Sequence, residues 1–173
     1  MKRLRSDKVY DGRYSSVRID ELRYEDGETA EREIVSHPPA VGILAHDAEH
    51  VWLVRQPREA VGEDALLEIP AGKLDVEGEA PLECAQRELA EEIGKSAGEW
   101  RELKHFYLTP GWADEHMWLF EATELADTAE GEADPGERIE IVRWPLAELD
   151  AAIEQCSDAK SLIALLYLRN RLR

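Results

Sequence analysis

Apolar positions along this chain recur at two spacings, and the switch between them divides it into elements. Tyr14 to Asp20 alternates apolar and polar, and Glu21 to Tyr24 does the same. Thr29 to Val35 continues the pattern beyond the turn signal Glu25-Asp26-Gly27-Glu28, so short strands are expected here. A sheet this small is not stable alone and must pack on something, either the rest of the chain or a second subunit. His37-Pro38-Pro39 breaks the pattern and marks a boundary. Ala40–Ala45 is a short apolar run that predicts a central strand, His46–His50 a turn, and Val51–Arg55 the next strand. Ala65–Gly72, Trp100–Tyr107, His116–Ala122 and Ile139–Trp144 predict further strands, with a loop over Leu108–Glu115. Thr128–Glu137 is acidic, contains Gly and Pro, and predicts a mobile surface loop. Pro145 opens a helix to about Gln155, and Ser157 or Asp158 caps a last helix ending near Arg171. Trp52, Trp118, Phe120 and Trp144 fall in apolar strands and are expected in the core, whereas Trp112 falls in a loop and fits either role.

One stretch changes period. From residue 80 to 94 the apolar residues Leu82, Ala85, Leu89 and Ile93 follow helical spacing, while Glu88, Glu91 and Glu92 sit at i, i+3 and i+4. At 100° per residue the two sets lie about 110° apart, so one face packs inward while the other gathers carboxylates. Pro81 suits the first helical position, Glu83 the positive end of the helix dipole, and Gly94 the C-terminal stop. Three carboxylates so close repel one another and weaken the helix unless a cation joins them. Oxygen donors of this kind suit Mg²⁺ or Mn²⁺. The alternative is a solvated acidic face.

Composition narrows the field. The 173 residues make one domain with a full core and room for a small appendage. A net charge of −17 disfavours nucleic-acid phosphate and anionic membranes as partners. It also repels an anionic substrate, which then needs local arginines and a metal ion. Two widely spaced cysteines, Cys84 and Cys156, form neither a disulfide framework nor a zinc signature and suit a reducing cytoplasm. The basic start Met1-Lys2-Arg3-Leu4-Arg5 has no apolar run after it, so no signal peptide is expected, and no stretch approaches membrane-spanning length.

The stretch Gly72 to Gly94 resembles the loop–helix box of the Nudix hydrolases: Gly, five residues, Glu, seven residues, then Arg-Glu-apolar-x-Glu-Glu-x-Gly-apolar. Here Gly72 and Glu79 are followed, after seven residues, by Arg87-Glu88-Leu89-Ala90-Glu91-Glu92-Ile93-Gly94. Two departures stand out: six residues separate Gly72 from Glu79, and Lys95 replaces the final apolar residue. The flanks resemble the ADP-ribose pyrophosphatase branch. They are Glu31 to Pro38, Leu53 to Arg58 followed by Leu67 to Gly72, and Thr109 to Glu115, with Pro110 sixteen residues after Gly94. Pro57 stands where that branch usually has an aromatic or aliphatic residue.

The resemblance implies an α/β/α sandwich with a mixed sheet over residues 38–173, and a small N-terminal antiparallel sheet over 1–37 used for dimerisation or substrate contact. It implies Mg²⁺-dependent cleavage of ADP-ribose to AMP and ribose 5-phosphate. Glu88, Glu91, Glu92 and the carbonyl of Ala71 would hold metal, with Glu91 and Arg87 also in the catalytic set. Arg87 more plausibly holds Glu79 and the carboxylates in place than ligates. Glu115 is the expected general base; its plain alternative is a solvated loop acid. Tyr14, Arg32, Glu33, Arg58, Lys73 and Pro110 are the expected substrate contacts. Tyr14 equally suits core packing, Arg32 and Glu33 a strand salt bridge, and Arg58 a surface cation near Glu63. No histidine is assigned a catalytic role. The rivals are hydrolysis of another nucleoside diphosphate-sugar such as ADP-glucose or GDP-mannose, and a non-catalytic ligand sensor. Sensors usually lose box glutamates or carry a DNA-binding extension; this chain keeps the glutamates and has no basic patch. An acidic interaction module ranks last.

Overall fold

The computed structural model describes residues 1–129, 136 and 138–173. Most of the acidic segment Thr128–Glu137 lies outside the described residues, so its expected character as a surface loop is not addressed. The chain divides into two compact units, Met1–Pro39 with Phe106–Met117, and Ala40–His105 with Trp118–Arg173.

The first unit is built on a three-stranded antiparallel sheet of β1 (Lys2–Asp11), β2 (Ser16–Arg23) and β3 (Thr29–Ser36), in that order. Strand β1 was not expected, and the reason is physical. Six of its ten residues are charged and nearly all face solvent, so no alternation betrays it. Likewise, the two short strands expected over Tyr14–Tyr24 are one continuous strand. Residues 106–117, expected within the larger domain, group with this sheet: Val35 bridges Ala113 in parallel, and its N–H donates to the carbonyl of Trp112.

The second unit holds a seven-stranded mixed sheet whose main path runs β10 (Glu140–Pro145), β5 (His50–Arg58), β4 (Ala40–His46), β9 (His116–Asp127), β8 (Lys95–Tyr107). The expected strand over Ala65–Gly72 is interrupted at Ile69-Pro70. It becomes β6 (Glu63–Glu68), pairing with β5, and β7 (Ala71–Lys73), pairing with β4. Proline cannot donate to a ladder, so the break falls where the chemistry requires it. A short 3₁₀ turn, Leu146–Glu148, leads into α2 (Leu149–Gln155), and Asp158 caps α3 (Ala159–Leu172) by accepting from the Ser161 N–H at 3.0 Å.

Helix α1 (Pro81–Ile93) packs on β4, β5 and β7. Its Ala85, Leu89 and Ile93 join Val41, Ile43, Ala45, Val54 and Phe120 in one buried cluster, together with Cys84. Leu82 departs from the expected face and is 38% exposed. Trp52 and Trp118 are only partly buried against the cluster. Trp144, expected in the core, is half-buried and anchored by its indole N–H donating to the Glu148 carbonyl at 3.0 Å. Leu44, of opposite parity to the α1 cluster, is also fully buried, so β4 is covered on both faces, and α3 packs on it too. Among the described residues no helix is long and apolar enough to cross a membrane.

Helix α1 begins at Pro81, with the Ala80 N–H donating to Glu83 at 2.9 Å, and stops at Gly94, whose φ is +65°. Replacing Gly94 by Ala forces a Cβ into the left-handed region. It should cost about 1 kcal/mol. Chemical denaturation should therefore give a lower midpoint at unchanged slope.

Candidate functional site

In the second unit, β7 and α1 bring one face of the helix against the backbone of Ala71-Gly72. The Ala71 N–H donates to the Glu92 carboxylate at 3.0 Å, which ties the third box glutamate to the strand. Gly72 sits against Glu88. A Cβ built at Gly72 would lie 1.8 Å from the Glu88 carboxyl carbon, so any side chain there would push that carboxylate away. The glycine is needed here for close approach rather than for an unusual backbone angle.

Arg87 organises the rest. Its Nε and Nη2 donate to the two oxygens of Glu79 at 2.9 and 3.1 Å, a forked pair. Its Nη1 donates to Glu88 at 2.7 Å and to Glu91 at 2.8 Å. Glu79 reaches this position through a tight turn in which its N–H donates to the Val76 carbonyl and Gly78 adopts a φ of +83°. The six-residue spacing between Gly72 and Glu79 is accommodated in that turn. Hydrogen bonds from Arg87 outweigh burial and hold the Glu79 carboxyl below its usual range. The guanidinium, in return, is held firmly protonated by Glu79, against burial and with help from Glu88 and Glu91. Cys84, beneath this cluster, is pushed up to about 12 by burial first and by Glu79 and Glu88 second, so it stays a thiol. Among the described residues, no three or more His, Cys, Asp or Glu side chains converge as a metal cage. In this arrangement Arg87 occupies two of the three box carboxylates.

Arg58 stands opposite Glu63 in the β5–β6 register, and its Nε and Nη2 donate to the two oxygens of Glu68 at 2.6 and 2.8 Å. Glu68 is fully buried and is also bound by Lys160. Sequence reasoning missed this carboxylate, although a lone charge inside the apolar run Ala65-Leu66-Leu67-Glu68-Ile69 was the available signal. Lys73, on β7, is half-buried.

In the first unit Glu115 is about a quarter exposed and stands 3.4 Å from His37. Its neighbour Asp114 is the structural anchor of the loop, accepting from Arg18 at 2.8 Å, from the Ser36 hydroxyl at 2.8 Å and from the His37 N–H at 3.2 Å. Burial opposes ionisation of Asp114, but these hydrogen bonds outweigh it and keep its carboxyl below the usual range. Arg18 and Ser36 carried no motif and were not anticipated. Arg32, Glu33 and Pro110 line one cavity together with Tyr24 and Trp112. Arg32 and Glu33 form no salt bridge with each other; Arg32 donates to the Glu31 carbonyl at 2.8 Å and the Tyr24 hydroxyl at 3.1 Å. Tyr14 is exposed rather than packed in a core, with the Arg13 guanidinium 4.9 Å from its ring centre, and lines a second cavity with His37, Asp114 and His116.

The family model described as NUDIX domain matches residues 36–166. The chain belongs to the Nudix family. Relatives agree with this over nearly the full length. The chain is 35% identical to a protein named ADP-ribose pyrophosphatase from Bacillus subtilis (strain 168), covering 97% of this chain and 92% of the relative. It is 34% identical to the methanol dehydrogenase activator of Bacillus methanolicus over the same shares of the two chains. A solved structure described as an ADP compounds hydrolase superposes with a TM-score of 0.87 at 28% identity, covering 99% of this chain and 93% of that one. In this Nudix chain the box glutamates, the bracing arginine and the facing glycine are therefore all present and spatially joined on α1, β7 and the turn between them.

Arg87→Ala should leave Glu79, Glu88 and Glu91 without their shared cation. At pH 7 this should cost on the order of 2 kcal/mol, a fall of several degrees in Tm for a chain of this size. Because Arg87 depresses Glu79 in the folded state, that stabilisation is present above the unfolded carboxylate value and is lost as pH falls through the folded one. The difference in Tm between wild type and variant should shrink below about pH 4.5, measured by calorimetry across a pH series.

Proposed function

We propose that this chain is a divalent-metal-dependent hydrolase that cleaves the diphosphate bond of ADP-ribose to AMP and ribose 5-phosphate. The observation that carries the reading is the near full-length likeness to a protein named ADP-ribose pyrophosphatase, joined to an intact box on α1. The donor set fits a hard cation. Glu88, Glu91, Glu92 and the Ala71 carbonyl offer only oxygen, and the Gly72 cradle against Glu88 leaves no room for a side chain between backbone and carboxylate. Mg²⁺ is the expected ion, with Mn²⁺ able to replace it. Bound there, such an ion polarises the diphosphate and lowers the pKa of a bound water.

The chain's own residues do the remainder. Arg87 holds Glu79, Glu88 and Glu91 in place by hydrogen bonds to all three. Arg58, with two of its nitrogens committed to Glu68, presents Nη1 to a phosphate. Glu115 takes the proton of the attacking water as its oxygen adds to one phosphorus and the bridging P–O bond breaks. Arg32 and Glu33, beside Pro110 and Trp112, bind the adenosine end, and exposed Tyr14 offers a ring for stacking. Lys73 contacts the substrate from β7.

The active unit is a homodimer, because β1 is exposed along nearly its whole length and places Leu4, Val9 and Tyr10 in solvent. With both cysteines buried and reduced, the expected location is the cytoplasm.

Glu92→Gln should lower turnover of ADP-ribose by at least two orders of magnitude with an unchanged circular dichroism spectrum; normal turnover would refute the site. A phosphatase-coupled panel with Mg²⁺ or Mn²⁺ should rank ADP-ribose above ADP-glucose, GDP-mannose and NADH, and excess chelator should abolish the signal. In light scattering the wild type at micromolar concentration should show twice its 19.6 kDa chain mass; a monomer would contradict the dimer.

A further inference from the structure

The four residues Glu68-Ile69-Pro70-Ala71 lead into the box, and each is held by hydrogen bonds from elsewhere in the second unit. Glu68 is fully buried and receives the forked pair from Arg58 and a hydrogen bond from Lys160. The Ile69 N–H donates to the Ser161 hydroxyl at 2.8 Å. The Pro70 carbonyl accepts from the Ile43 N–H at 2.8 Å, and the Ala71 N–H donates to Glu92 at 3.0 Å. Of these five partner residues, Lys160 and Ser161 come from the first turn of α3, nearly a hundred residues further along the chain.

That turn is itself a closed network. Asp158 caps α3, accepts from the Ser161 N–H at 3.0 Å and from its hydroxyl, and accepts from Lys160 at 2.9 Å. The Ser161 hydroxyl, fully buried, has one proton and gives it to Asp158, which leaves its lone pairs for the Ile69 N–H. Lys160 spans two carboxylates, Asp158 and Glu68. Buried hydrogen bonds with charged partners are strong and directional, so α3 and the 68–71 segment move as one body. A helix cap needs only the Asp158 side chain and a backbone N–H. The extra bonds of Lys160 and Ser161 to residues 68 and 69 are unnecessary for capping and act on the strand.

We propose that Lys160 and Ser161 are positioning residues for the metal site: through Glu68 and Ile69 they fix where the Ala71 carbonyl and the Glu92 carboxylate stand. This inference rests on the metal-binding reading of the box. A shift of the 69–71 backbone moves the carbonyl directly and drags Glu92 through its bond to the Ala71 N–H. Neither α3 residue is among the proposed metal or substrate contacts, so their loss should appear as weakened metal affinity rather than as an altered chemical step.

Mn²⁺ binding to the full-length protein, free of other metal and without substrate, tests this through the electron paramagnetic resonance signal of free Mn²⁺. Ser161→Ala and, separately, Lys160→Met should each raise the Mn²⁺ dissociation constant at least fivefold. Activity should be largely restored at saturating Mn²⁺, so the apparent metal constant moves more than kcat. Leu168→Val on the same helix, a buried residue remote from the network, controls for general loosening and should lower Tm while leaving the Mn²⁺ constant unchanged. If both network variants lose stability but bind Mn²⁺ as wild type does, the positioning role is wrong. The same holds if Leu168→Val weakens Mn²⁺ equally. If wild type itself takes up no Mn²⁺, it is the metal reading of the box that fails. If Ser161→Ala does not fold, Lys160→Met decides alone, because Ser161 still holds Ile69 in that variant.

Discussion

Like charges crowded on one helix face set the central constraint of this molecule. Glu88, Glu91 and Glu92 fall on α1 close enough to repel, and Glu79 is turned back toward them by the loop. Arg87 resolves that repulsion within the protein, binding Glu79, Glu88 and Glu91 at once. Arg87 is about a third exposed and Glu79 about a tenth, so the pairing is screened less than a fully exposed ion pair would be. It also holds the three carboxylates side by side on one guanidinium.

Everything around the helix keeps that face aimed at β7. The apolar stripe of α1 seals against β4 and β5, Gly72 lets backbone approach Glu88, and Glu92 is tied to Ala71. Where the chain enters β7, buried Glu68 and Lys160 are paired with each other and with the partly exposed Arg58 and Asp158, and the buried charges would be costly if a partner were missing. Those bonds tether the segment that runs into β7.

The helix was legible because several independent signals coincide in it: the stripe, the proline start, the glycine stop and the acid in the first turn. Strand β1 was not, because a solvated strand full of Lys, Arg and Asp leaves no period to read. The break between β6 and β7 could have been placed from Pro70. The partners of Arg58 and Asp114 were not legible for a different reason. Which carboxylate fills a guanidinium, or which donors fill a carboxylate, depends on chain segments tens of residues apart: Glu68 meets Lys160 across 92 positions and Asp114 meets Arg18 across 96. Local pattern carries no information about such meetings.

Hydrolysis of ADP-ribose in ¹⁸O-labelled water with Mg²⁺, followed by mass spectrometry of the products, tests the central claim most directly. The account predicts AMP and ribose 5-phosphate in equal amounts, with one ¹⁸O atom incorporated into one of the two phosphates and no reaction once Mg²⁺ is chelated. Intact ADP-ribose after prolonged incubation with Mg²⁺ or Mn²⁺, or products formed equally well in chelator, would contradict it.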